Sequence, residues 1–313
     1  MSENILIIRM ADKGDVLSIG LPAVRFFQQE FPAASISMLT YGDSAQFFRL
    51  GTPDVHVMSL EQNTWPENII SAMEVFLGLA EQIIGEGFTK IVNLDTAFMP
   101  CFLARFLKDA GQPVEGNLLS LSVDELISGL QQESLAPELV TNPESYINST
   151  WFGFSQWYSR WWETDNLPDR GYCEFYLSRC CGYSSITLDM SLPFKKIETR
   201  TPYVALHLDA TASSVIDTNA LIALLDKNGV PYKVIRDDES VDDGLSIIGN
   251  AAFLVTTPSA FQWFAVATET PTLLISGQFD PRLTMPDFAT NVNEHVDAAV
   301  LVNDIVGLLE NVK

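Results

Sequence analysis

Four segments of this sequence hold side chains able to do chemistry, and each follows a short apolar run. The first is Arg9-Met10-Ala11-Asp12-Lys13-Gly14-Asp15-Val16. A carboxylate at Asp15 can take a proton from an attacking hydroxyl, and Arg9 and Lys13 beside it can hold an anion. Gly14 permits a tight backbone. The plainer reading makes Asp15 an N-cap or first-turn acid that satisfies free N–H groups and the helix dipole. The second segment, Leu206 to Ser214, contains His207, Asp209, Thr211 and Ser213. Small hydroxyl residues and backbone N–H groups there can cradle a phosphate, or simply cap a helix. The third, Thr256-Thr257-Pro258-Ser259-Ala260, leads strand hydroxyls into a helix start whose free N–H groups suit an anion. The fourth runs from Thr272 to Arg282, with a turn at Gly277, Asp280 and Pro281 and a basic group at Arg282.

These segments need a frame that sets them at strand ends. Ile5 to Ile8 reads as a strand and Val16 to Phe31 as a helix. Strands at Ser35–Leu39, Val55–Met58 and Ile91–Leu94 then alternate with helices at Asp43–Leu50 and Asn68–Ile84. Short apolar strands alternating with amphipathic helices predict a parallel, doubly wound sheet buried on both faces. From residue 111 to about 200 the strand pattern is lost, and aromatics crowd together from Trp151 to Trp162. Positions 151, 154, 158, 161 and 162 predict one helical stripe packed on the first domain. The rhythm returns with strands at 203–208, 232–235, 252–256 and 272–275 and helices at 219–227, 244–248 and 260–268. Residues 300–302 read as a last short strand and 304–312 as a closing helix. The expected organisation is an N-terminal Rossmann-like domain over residues 1–200, with a helical, aromatic-rich segment at about 111–200, and a C-terminal Rossmann-like domain over 201–313. In doubly wound folds ligands bind beyond the carboxyl ends of the strands, so the site is expected in a central cleft between the two halves.

The resemblance to a known family lies in residues rather than rhythm. Ile5-Leu6-Ile7-Ile8-Arg9, Gly14-Asp15-Val16-Leu17, Leu21-Pro22-Ala23-Val24-Arg25 and Phe31-Pro32 resemble the opening of the ADP-heptose:lipopolysaccharide heptosyltransferases, bacterial GT-B glycosyltransferases. Glu269 to Pro281 is similar to the closing strand of that family and its Gly-x-x-Asp-Pro turn, which falls on Gly277 and Asp280. The resemblance implies a GT-B fold, with Asp15 as general base and Arg9 at a basic position of the same loop. The second segment is similar in Thr/Ser content, but the family's phosphate-contacting lysine has no counterpart before Lys227. At the third segment the family carries Asp, Ser or Thr, Gly and a later His, where this chain has Pro258, Ser259, Ala260 and Trp263.

The activity implied is that of an inverting, metal-independent glycosyltransferase. It would move a sugar from a nucleotide-diphosphate donor to a hydroxyl acceptor, with no cofactor beyond the nucleotide sugar. Donor contacts would come from Arg9, Lys13, Gly14, His207, Thr211, Ser213, Thr257, Ser259, Gly277, Asp280 and Arg282. The alternative is a non-catalytic nucleotide-binding, sugar-binding or assembly protein descended from that fold. An epimerase of the same fold would need further acid/base groups, for which His207 and Asp209 are the local candidates.

Composition narrows the partners. The chain has 313 residues, 47% hydrophobic and 19% charged, which suits two packed domains rather than a disordered chain. Eighteen basic against forty acidic residues give a net charge of −22, which disfavours duplex nucleic acid and anionic lipid. No apolar run reaches the ~18 residues of a membrane span, and the first residues lack a signal-peptide pattern, so a cytoplasmic location is expected. The four cysteines, Cys101, Cys173, Cys180 and Cys181, fit no metal-ligand spacing, and the three histidines, His56, His207 and His295, form no HxxxH or HxH pair.

Overall fold

The computed structural model describes residues 3–61, 69–136, 138–164, 168–198, 201–208, 215–277, 280, 290–291 and 295–311. Contacts divide the chain into two compact units. One comprises residues 1–161 with 175–189, and the other 162–174 with 190–313.

The first unit is a six-stranded sheet in the order β3-β2-β1-β4-β5-β6. Its strands are β1 (Asn4–Ile8), β2 (Ser35–Tyr41), β3 (His56–Leu60), β4 (Lys90–Asn93), β5 (Val114–Leu119) and β6 (Ile147–Ser149). All neighbours are parallel except β5 and β6. Ile5 to Ile8 are wholly buried, as expected of a central strand covered on both faces. Each such side chain contributes about 1.5–3 kcal/mol by leaving water. The helix Leu21–Glu30 starts with Pro in its first turn and gives way at Phe31, ahead of Pro32. Between β1 and that helix lie a short helical turn, Lys13–Asp15, and a π-helical turn, Val16–Gly20. The helix expected over 16–31 is therefore present over 16–30, its first turn wound as a π-helix that runs directly into the α-helix.

Two expectations for the middle are overturned. The strand pattern is not lost there, because β5 and β6 complete the first sheet. β5 reads Val-Glu-Gly-Asn-Leu-Leu, and its polar residues make hydrogen bonds to partners distant in sequence. Glu115 accepts from Lys90 and Trp151, and the Gly116 N–H donates to the Thr150 hydroxyl. The helices Phe98–Asp109 and Val123–Gln131 flank β5, the second opened by a reciprocal Ser122–Glu125 capping box. The aromatic cluster forms no single helical stripe. Phe154–Tyr158 and Trp161–Glu163 are separate 3₁₀ turns, with Trp151, Phe154 and Trp161 buried and Phe152 fully exposed.

The second unit is a five-stranded parallel sheet in the order β11-β10-β9-β7-β8. Its strands are β7 (Val204–His207), β8 (Tyr232–Val234), β9 (Phe253–Thr256), β10 (Thr272–Ile275) and β11 (Thr290–Asn291). Helices Thr218–Lys227, Val241–Gly249, Ala260–Ala267 and Ala298–Asn311 follow the strands. Val204, Leu206, Leu221, Val255 and Ile305 belong to its core. Residues 300–302 are helical, so the expected last strand is replaced by β11 and the closing helix begins earlier. An apolar triplet alone does not separate a strand from a buried helical turn.

Candidate functional site

In both sheets the first strand in sequence has its successors on opposite sides, which makes a topological switch point at its carboxyl end. In the first sheet this point lies between β1 and β4, and Arg9 and Asp95 stand just beyond those two strands. Arg9 is buried at 4% exposure. One terminal nitrogen donates to the Leu94 carbonyl at 2.7 Å and the other to the Asp15 carboxylate at 2.9 Å. Its guanidinium also lies 5.7 Å from the centre of the Tyr176 ring. The Asp15 side chain remains 36% exposed, so a carboxylate oriented by a buried cation still reaches solvent.

Asp12, not Asp15, caps the helical turn, accepting from the Asp15 N–H at 3.0 Å. Asp15 is therefore not the N-cap of that turn but an acid within it, the other half of the plainer reading. Gly14 is buried and Lys13 partly exposed in the same turn. The π-helical turn follows at once, and Tyr176 sits on a second such turn, Phe175–Cys180. Single π turns collect at functional sites because they re-aim side chains within a helix.

Asp95 was not among the residues expected. Its carboxylate accepts from the Met10 N–H and, at 2.9 Å, from the Ala97 N–H. Burial pushes its pKa up, opposed by the Arg9 charge and the two N–H groups. Asn117 donates to the Asp95 carbonyl at 2.9 Å and to the Tyr176 hydroxyl at 3.0 Å. Tyr176 in turn donates to the Leu94 carbonyl at 2.7 Å. The available signal was position: Asp95 ends the apolar run Ile91 to Leu94, and β4 is the strand across the switch point from β1.

The second sheet switches between β7 and β9. His207 ends β7 at 3% exposure, and its Nε2 donates to the Asp237 carboxylate at 2.9 Å while Nδ1 lies 3.3 Å from the Thr256 hydroxyl. Asp237 itself is 81% exposed. The Phe261 ring stacks against the imidazole at 4.5 Å with a 50° tilt. Thr257 is buried and its N–H donates to the His207 carbonyl at 3.3 Å. Ser259 is the N-cap of Ala260–Ala267, accepting from the Phe261 N–H and lying 3.2 Å from the Thr256 hydroxyl. Gly277 follows β10 with φ +60°, where a Cβ would meet Val215 at 2.8 Å, so the tight turn requires glycine. Asp280 is partly buried. Thr211, Ser213, Asp209 and Arg282 lie outside the described residues. Asp237, like Asp95, was not anticipated from the sequence.

The four cysteines are free and buried. Among the described residues no helix is long and apolar enough to cross a membrane.

The sequence matches no protein-family model and no curated protein. Solved structures do match. The chain is similar to E. coli heptosyltransferase WaaC with ADP, at 14% identity over 97% of this chain and 99% of that one, with a TM-score of 0.59. It is similar to the glycosyl transferase family 9 protein from Veillonella parvula DSM 2008, at 9% identity over 99% and 98% of the two chains, with a TM-score of 0.64. A third match is E. coli ADP-heptose lps heptosyltransferase II, at 12% identity over 99% of each chain, with a TM-score of 0.58. The chain shares the GT-B fold of these structures. The likeness extends over nearly the whole chain, including the middle in which the sequence alone showed no strands.

Proposed function

We propose that the protein is an inverting glycosyltransferase that uses a nucleotide-diphosphate sugar and a hydroxyl acceptor, without a metal. The observation that carries this reading is the half-exposed Asp15 carboxylate, oriented by the buried Arg9 at the β1–β4 switch point. As the acceptor hydroxyl attacks the anomeric carbon, its proton passes to Asp15. The new C–O bond forms as the bond to the nucleotide diphosphate breaks on the opposite face, which inverts the anomeric centre. Ser259 and the start of its helix, with Thr211, Ser213, Thr257 and the Gly277–Asp280 turn, would hold the donor. Lys13 and Arg282 would offset charge building on the leaving diphosphate. WaaC was solved with ADP, which supports an adenine nucleotide as the first donor to try.

A non-catalytic assembly role for the same fold is favoured by one observation. Thr257 is buried and Ser259 caps its own helix, so the described hydroxyls of the second unit already serve the fold. A panel of ADP- and UDP-sugars, read by thermal stabilisation and calorimetry, tests both readings. Selective binding of one nucleotide sugar, followed by release of a product with inverted anomeric configuration, is the expected result. Binding of a nucleotide sugar with no transfer or hydrolysis would leave a non-catalytic binding protein, and binding of none would leave the assembly role.

A further inference from the structure

We propose that Asp95 is a positioning residue that fixes the loop after β1 and, through Arg9, sets the direction of the Asp15 carboxylate. The proposal rests on the reading of Asp15 as general base. Asp95 is 2% exposed, and its two carboxylate oxygens take different N–H groups, Met10 from the loop after β1 and Ala97 from the loop after β4. One side chain thus laces together the two lips of the switch point. Arg9, the residue before Met10, closes the same link from the other side: its fork spans the Leu94 carbonyl, immediately before Asp95, and the Asp15 carboxylate.

The peptide that carries Asp95 is itself anchored. Tyr176 donates to the Leu94 carbonyl, Asn117 to the Asp95 carbonyl, and the Asp95 N–H donates to the Asn93 side-chain oxygen at 3.1 Å. Asn93 in turn donates to the Asn117 carbonyl at 2.6 Å. The anchor, the fork and Asp15 therefore form one continuous set of hydrogen bonds. Burying an ionisable carboxyl is costly, and an asparagine of the same shape would be easier to bury. Asparagine has a single acceptor oxygen, so it would hold one N–H and turn its own amide N–H against the other. Two acceptor oxygens are what the geometry uses.

The test compares wild type, Asp95→Asn and Arg9→Lys, with folding checked by circular dichroism. Two readouts are taken. In the first, NMR follows the Met10 and Ala97 amide protons and the Arg9 guanidinium. In wild type the two amides titrate together with one midpoint above the ordinary aspartate range, and the Arg9 Nη protons give separate, exchange-protected signals. In Asp95→Asn the shared titration vanishes and the Arg9 signals merge. In the second readout, transfer by Asp95→Asn falls about 10- to 100-fold in kcat while the donor KM stays within about twofold, as a misdirected base predicts. Arg9→Lys, whose ammonium cannot span both acceptors, shows the same kcat loss at unchanged KM and keeps the amide titration. Should Asp95→Asn not fold, wild type carries the first readout by itself: Met10 and Ala97 amides that titrate with different midpoints, or not at all, would overturn the proposal. Intact Arg9 signals in Asp95→Asn, or an unchanged kcat in both variants, would overturn the proposal. If wild type transfers no sugar, the reading of the function fails, while the NMR arm still decides whether Asp95 holds Arg9.

Discussion

The two sheets switch direction at their first strands in the same way, yet they furnish the switch points differently. Beyond β1 and β4 the chain places a buried arginine, a buried aspartate and a half-exposed aspartate, tied to each other through backbone groups, Asn117 and Tyr176. Beyond β7 and β9 it places a buried histidine, threonine hydroxyls and a helix-capping serine, with one exposed aspartate at the rim. Interlocked charges fix direction, because a fork such as that of Arg9 accepts few orientations. Neutral hydroxyls and N–H groups suit the holding of an anion in a chain of net charge −22. The proposed function uses this contrast, with direction-sensitive chemistry in the first unit and ligand holding in the second.

The largest effect comes from wedging β5 away from β4, the strand that carries one side of the first switch point, without touching a charge. Gly116 in β5 has φ +103°, and a Cβ there would stand 2.3 Å from the Asn93 carbonyl. Gly116→Ala is expected to cost about 3 kcal/mol in urea unfolding, from backbone strain and overpacking together. A negligible cost would mean that the β4–β5 contact beneath Asn93 and Asn117 is not what sets the site. Next, Arg9→Gln removes two short hydrogen bonds, one to a charged partner, and should lower stability by about 2 kcal/mol.

The pH dependence separates the units further. The pKa of Asp95 is raised by burial, so the folded state holds that proton more tightly than the unfolded chain does. Between the ordinary aspartate value and the raised one, the folded state carries more protons, and stability falls as pH rises through that window. A full one-proton difference gives a slope of at most about 1.4 kcal/mol per pH unit. Denaturant unfolding of Asp95→Asn across this range should show the slope removed, and an unchanged slope would place its origin elsewhere. The smallest effect is expected at Ser259→Ala, which loses the cap of Ala260–Ala267 for about 1 kcal/mol. If Ser259 also holds the donor, the same variant weakens nucleotide-sugar binding, whereas Gly116→Ala does not.

Local pattern carried much of this structure. Four consecutive apolar residues announced β1, and Arg9, Gly14 and Asp15 lie as expected in the loop and helical turn that follow it. β5 was missed because Glu115, Gly116 and Asn117 break its apolar run, and each has a partner brought near only by folding. Asp95 was missed for the same reason: the Met10 N–H it accepts lies 85 residues away in sequence. His207 was legible as a strand-end residue, but its Asp237 partner, 30 residues on, was not. Residues 300–302 misled because three apolar residues fit the buried side of a helix as well as a strand. Chemistry at the end of a legible strand can be read from sequence, and the network that aims it cannot.

The central claim is that Asp15 acts on the acceptor while the second unit holds the donor. Its most direct test is Asp15→Asn beside wild type, with donor affinity by calorimetry and transfer rate measured on the same samples. The account predicts equal donor affinity and a kcat lowered by about 10²- to 10⁴-fold, the range of a lost general base. Transfer by Asp15→Asn at the wild-type rate, or loss of donor binding with it, would contradict the account.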